Sequence, residues 1–221
     1  MFWSEFVLPN AEEYWFAGGN KLESKEYAAA IIDYTKAIEL NKKHGDSYYG
    51  RGLAKYMLDD SKGAIVDLTK ALKFSDSPWA YYHRGMCKSK LGDYDEAIAD
   101  FSKAISILQP AAYYNRGIAF VFLGKFENAI FDFTKAIESR PNFTEAYAYR
   151  GMMEHEIKDF KSAINDYTKV IAWDPKNNQA YYNRGLTKLS LNQKESACLD
   201  FAKAKELGHL NADGMMKEKC N

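Results

Sequence analysis

One short phrase recurs six times along this chain at an almost fixed interval, and that interval sets the architecture. The clearest copies are Tyr114-Asn115-Arg116-Gly117 and Tyr182-Asn183-Arg184-Gly185. Looser ones are Tyr49-Gly50-Arg51-Gly52, Tyr82-His83-Arg84-Gly85 and Tyr149-Arg150-Gly151, with Trp15-Phe16-Ala17-Gly18 as a degenerate first copy. Twelve residues after each glycine stands an alanine (Ala30, Ala64, Ala97, Ala129, Ala163, Ala197), in steps of 34, 33, 32, 34 and 34 residues. A period in this range marks a solenoid, in which each unit buries its apolar face only against its neighbours.

The fourth copy shows what one unit is. Tyr113, Gly117, Phe120 and Leu123 recur at helical spacing, and a loop at Gly124-Lys125 then breaks the pattern. A second helical run follows through Phe126, Ala129, Ile130, Phe133, Ala136 and Ile137, and Pro141 closes it. Each unit therefore reads as two antiparallel helices joined by a short turn. The small Gly117 and Ala129 are expected where the two helices cross closely.

The combination of an aromatic with Gly four residues on, Gly-x-Tyr/Phe at the turn, Ala-Ile-x-Asp-Phe, Lys-Ala and a closing Pro resembles the tetratricopeptide repeat. The resemblance covers residues 11–211 as six units: 11–44, 45–77, 78–109, 110–143, 144–177 and 178–211. Residues 1–10 are left as an N-terminal extension, and 212–221 as a capping helix and tail. It implies an all-α, right-handed α-α superhelical solenoid of helix-turn-helix repeats that binds a protein or peptide ligand in a concave groove. The second unit has Asp59-Asp60-Ser61 where the turn aromatic belongs, so a looser corner is expected there.

Two further positions repeat. Asp33, Asp67, Asp100, Asp132 and Asp166 follow the crossing alanine by three, as does Asp200, while Arg51, Arg84, Arg116, Arg150 and Arg184 precede the glycine in units two to six. A guanidinium fork matches a carboxylate, and unit one has Ala17 in place of arginine. The expected arrangement is a structural salt-bridge ladder in which each arginine reaches the aspartate of the preceding unit.

The first helix of each unit has one face committed to its partner helix, and the resemblance gives the other face to ligand. That face carries Trp15, Tyr49, Tyr56, Trp79, Tyr82, His83, Met86, Tyr114, Asn115, Ile118, Phe122, Tyr149, Tyr182 and Asn183. Exposed aromatic and Met-rich stripes tend to mark protein-recognition surfaces. The recurring tyrosines fit inter-unit packing as well, and both readings stand at this point. Acidic Glu12, Glu23, Asp46, Glu145 and Glu156 border the stripe, which suits a segment with an apolar middle and neutral or basic flanks. The Lys/Asn/Arg clamp by which some family members hold chaperone C-termini is missing, because Trp15, Gly19, Trp79 and His83 occupy its positions.

Lys and Arg number 30, as do Asp and Glu, so the formal charge is zero and no basic surface points to nucleic acid. No run of about 18 apolar residues suggests a membrane span. The four histidines lie in different units without zinc-site spacing, so no metal, cofactor or enzymatic activity is expected. The N-terminus lacks the form of a secretory signal, which favours a cytoplasmic protein, with an exported or periplasmic one as the alternative. Cys198 and Cys220 stand eleven residues either side of the turn at His209 and can meet as a disulfide, though a cytoplasmic setting favours reduced thiols. Self-association is the runner-up function, the groove then receiving the aromatic N-terminus, Phe2, Trp3 and Phe6.

Overall fold

The computed structural model describes residues 10–220, whose regular structure is helical throughout. The chain divides into two compact units, Met1–Leu108 and Gln109–Asn221. In the first, α1 (Ala11–Glu23) packs against α2 (Tyr27–Leu40), α3 (Gly45–Met57) against α4 (Ser61–Ala71), and α5 (Pro78–Leu91) against α6 (Tyr94–Ala104). In the second, α7 (Gln109–Phe122) packs against α8 (Phe126–Ser139), α9 (Thr144–Glu156) against α10 (Phe160–Trp173), and α11 (Asn178–Ser190) against α12 (Lys194–Glu206). A last helix, α13 (Ala212–Lys219), lies on α12. Phe2, Trp3 and Phe6 lie outside the described residues.

The glycine of each first helix is small because a large side chain of the second helix lies on it. A Cβ on Gly85 would stand 2.9 Å from the Phe101 ring, on Gly117 2.8 Å from Phe133, and on Gly185 2.7 Å from Phe201. Tyr34, Leu68 and Tyr167 fill the same place in repeats one, two and five, and all six are at most 2% exposed. Burying side chains of this size stabilises by about 1.5–3 kcal/mol each. The crossing alanines, all fully buried, let the helices approach beside these rings.

The corner between the paired helices is the same in all six repeats. One residue takes the left-handed conformation: Lys25, Asp59, Gly92, Gly124, Lys158 or Asn192, with φ between 58° and 87°. The next backbone N–H then reaches back five residues, for example from Asp93 N to Lys88 O at 3.0 Å and from Lys125 N to Phe120 O at 2.9 Å. This bond pattern closes a helix C-terminus. The looser corner expected at Asp59-Asp60-Ser61 is absent. Asp60 N bonds Lys55 O at 2.9 Å, and the Asp60 carboxylate accepts from Gly63 N at 2.8 Å, so a cap replaces the missing aromatic.

The salt-bridge ladder exists, but its register differs from the expected one. Each arginine grips the aspartate of its own repeat with two guanidinium nitrogens, in the pairs Arg51–Asp67, Arg84–Asp100, Arg116–Asp132, Arg150–Asp166 and Arg184–Asp200, at 2.6–2.9 Å. The pairings with the preceding unit (Arg51–Asp33, Arg84–Asp67, Arg116–Asp100, Arg150–Asp132, Arg184–Asp166) are therefore wrong. What reaches the preceding repeat is the remaining nitrogen. Nη1 donates to Thr35 from Arg51, Thr69 from Arg84, Thr134 from Arg150 and Thr168 from Arg184, at 3.0–3.1 Å. Repeat one needs no arginine, and its Asp33 is held by Lys21 at 2.6 Å. Symmetrically, the last repeat has Ala202 where the others have Thr or Ser. Each guanidinium also lies over the tyrosine three residues before it, as Arg84 does over Tyr81 at 5.4 Å.

Cys198 and Cys220 form a disulfide with Cα atoms 5.8 Å apart, rather than the reduced thiols favoured from the sequence. The fold-back of α13 onto α12 brings them together. The third cysteine, Cys87, is a buried free thiol, and burial raises its pKa to about 11.

Candidate functional site

The first-helix face opposite the paired helix carries the open clefts, and it differs along the chain. In the first unit the faces of α3 and α5 converge on His83. Its Nδ1 donates to the Trp79 carbonyl at 2.8 Å, with the Tyr49 hydroxyl 3.3 Å from the same nitrogen. The rings of Tyr49, Tyr56, Trp79 and Tyr82 surround the imidazole at centroid distances of 5.4–6.4 Å, and burial lowers its pKa. Tyr82 also rests on Phe101. Trp79 remains 47% exposed and forms one edge of an open cleft of about 310 Å³ with Asp46 and Tyr49. Met86 is half-buried.

A larger cleft, about 500 Å³, lies between α1 and α3. Trp15, Phe16 and Tyr49 provide its aromatic surface, Gly19 and Gly50 its open sides, and Glu23 and Asp46 its charge. The phenol of Tyr34 closes it from behind; burial, then Glu23, pushes that hydroxyl up to about 12. Trp15 also packs against His44, whose Nε2 is 3.0 Å from Glu12. The glycines were the signal that sequence reasoning missed, since it scored side chains present rather than side chains lacking.

In the second unit Tyr114 is engaged in packing: its ring lies 4.8 Å from Phe143, 5.9 Å from Phe133 and 5.8 Å from Tyr149, and burial pushes its hydroxyl up to about 12. Ile118 and Tyr149 belong to the same cluster. Asn115 turns its amide back to the Ala111 carbonyl at 2.9 Å. Tyr182 is stacked on His209 at 4.0 Å, and Asn183 accepts from Gln179 at 2.8 Å. Phe122 is 64% exposed. Two clefts of about 260 and 300 Å³ lie between α9 and α11, with Met152, Gln179 and Asn183 common to both. Among the described residues no cluster of three or more His, Cys, Asp or Glu side chains could hold a metal ion. No helix among them is long and apolar enough to cross a membrane.

Models of the tetratricopeptide repeat match residues 14–44, 78–109, 110–143, 144–177 and 179–207. The chain belongs to the tetratricopeptide repeat family. It is 32% identical over 72 residues to tetratricopeptide repeat protein 36 of Xenopus tropicalis, a stretch covering 33% of this chain and 36% of that protein, so it spans about a third of this relative's length. Among solved structures it is similar to YrrB, described as a TPR protein with an unusual peptide-binding site. The TM-score is 0.76 at 27% identity, over 83% of this chain and 97% of that one. PilF of Pseudomonas aeruginosa superposes with a TM-score of 0.76 at 17% identity, over 95% of this chain and 97% of that one; this likeness is one of fold. Tetratricopeptide repeats in general make interaction scaffolds.

Proposed function

We propose that this tetratricopeptide repeat protein is a non-enzymatic scaffold that binds a peptide segment of a partner protein on the first-helix faces of its repeats. The observation that carries this reading is that both units have open clefts on those faces, each lined mainly by first-helix side chains. Concave, largely apolar surfaces with a few polar groups are where ligands bind. Trp79, Phe16 and Phe122 stay exposed there although the core around them is closed. YrrB, similar over most of the chain, has a peptide-binding site by its own description. The buried aspartates and arginines are occupied with one another, which leaves no catalytic role for them. The Cys198–Cys220 bond favours an oxidising compartment, the exported alternative, over the cytoplasm.

The test is selection of a phage-displayed random peptide library on the full chain, followed by affinity measurements on the peptides obtained. Trp79→Ala should weaken binding about tenfold or more, as expected for an interface aromatic, whereas Val66→Ser on the opposite face should not. Peptides that bind both variants as well as the parent would overturn the reading.

A further inference from the structure

We propose that the cleft between α1 and α3 receives the cationic side chain of a lysine or arginine in the partner segment. Trp15 and Tyr49 would face the cation, and Glu23 and Asp46 would balance its charge. This deepens the peptide-binding reading and rests on it.

The first argument comes from the repeats themselves. The residue after the ring-bearing glycine is Leu53, Met86, Ile118, Met152 or Leu186 in repeats two to six, and Gly19 in repeat one. The residue two before that glycine is Phe16, His83, Asn115, Tyr149 or Asn183 elsewhere, and Gly50 in repeat two. Both exceptions line this one cleft. Gly50 has a packing reason, because a Cβ there would stand 2.4 Å from the Tyr34 ring. Gly19 has none. A Cβ on it would meet only the Tyr34 hydroxyl, at 4.0 Å, an ordinary contact. Glycine inside a helix is unfavourable relative to alanine. The effect of Gly19 is to keep open a space that its counterparts would fill.

The second argument is charge. Glu23 and Asp46 line the cleft, no Lys, Arg or His among the described residues does so, and neither carboxylate has an ion-pair partner among those residues. The neighbouring Lys21 is turned away and held by Asp33 at 2.6 Å. A cation placed against an aromatic face is attracted by the ring quadrupole, and nearby carboxylates add to that attraction. The same field repels a carboxylate or phosphate. Of the two clefts of the second unit, one has a single carboxylate, Glu156, beside His155, and the other has no charged side chain, so neither brings two carboxylates together. A volume of about 500 Å³ admits a long side chain with part of its flanking backbone.

The test uses arrays of nonapeptides with randomised flanks and a central Lys, Arg, norleucine or Glu, probed with the labelled full chain. The expected result is retention of Lys- and Arg-centred peptides at least fivefold over norleucine, with Glu-centred peptides weakest. Gly19→Leu should abolish the preference while keeping or raising thermal stability, since leucine is a good helix former. Glu23→Gln with Asp46→Asn should reduce it without filling the cleft. No preference for Lys or Arg in the parent, or a preference that survives both variants, overturns the cation assignment. If peptides still bind without charge preference and Trp79→Ala weakens them, only this inference fails. If the parent retains no peptide at all, the peptide-binding reading fails with it.

Discussion

Glu154 breaks a rule that four of the other five repeats follow, repeat four having Phe120 at the position. Three residues after the ring-bearing glycine, repeats one, two, three and six place Lys21, Lys55, Lys88 and Lys188 on the buried aspartate of the same repeat, at 2.6–3.0 Å. Repeat five places a second carboxylate there. Arg150 lies 2.7 Å from Asp166 and 3.6 Å from Glu154, whose Oε2 is buried with no hydrogen-bond partner. Burial, and after it the charge of Asp166, pushes the Glu154 carboxyl up to about 7 from 4.5. Between these two values the folded chain holds a proton that the unfolded chain has released, so stability falls as pH rises through that window and levels off above about 7. The loss is on the order of 3 kcal/mol. Urea melts of the parent at pH 5 and pH 8 should differ accordingly, and those of Glu154→Gln should differ much less. Equal pH slopes in the two proteins would show that Glu154 is ionised in the fold.

At the scale of helices and corners, most of the architecture was legible. The helix pairs follow from apolar spacing, and the repeat interval locates each pair. The arginine ladder was legible as a ladder but not in its register. The clue lay in a spacing that was left unused: arginine to the aspartate of its own repeat is always sixteen residues, whereas arginine to the preceding aspartate ranges from sixteen to eighteen. A bidentate pair held between two antiparallel helices demands the constant interval. The threonines were missed because a hydroxyl carries little pattern weight, although Ala202 at the last repeat marks where no arginine follows. The left-handed corner residue was visible only where it is glycine. Lys25, Asp59 and Lys158 occupy a conformation that costs a residue with a Cβ about 1–2 kcal/mol. Lys158→Gly should therefore raise stability by about 0.5–1 kcal/mol, part of the relief being offset by the freer unfolded chain. An unchanged or lower denaturation midpoint would count against strain at that corner.

Across the molecule, the two units differ in how they end and in what their faces offer. The second unit carries a covalent clasp, Cys198–Cys220, that closes a segment with a sequence separation of 22. Cross-linking a loop of this size constrains the unfolded chain by roughly 3 kcal/mol. Cys220→Ser should lower the calorimetric unfolding temperature of the chain; an unchanged unfolding temperature would contradict this. The aromatic stripe on the first helices was legible in the sequence, but its division of labour was not. Tyr114 and Tyr182 are taken up by packing, whereas Trp79 and Phe16 stay exposed, and only three-dimensional contacts distinguish the two. The claim that ligand lies on the first-helix faces is tested most directly by tryptophan indole signals in a ¹H–¹⁵N spectrum, recorded as a selected peptide is added. Trp15 and Trp79 belong to first helices, and Trp173 ends a second helix beside Tyr147. The account predicts that the Trp15 and Trp79 signals move while Trp173 stays fixed; movement of Trp173 with Trp15 and Trp79 unmoved would contradict it.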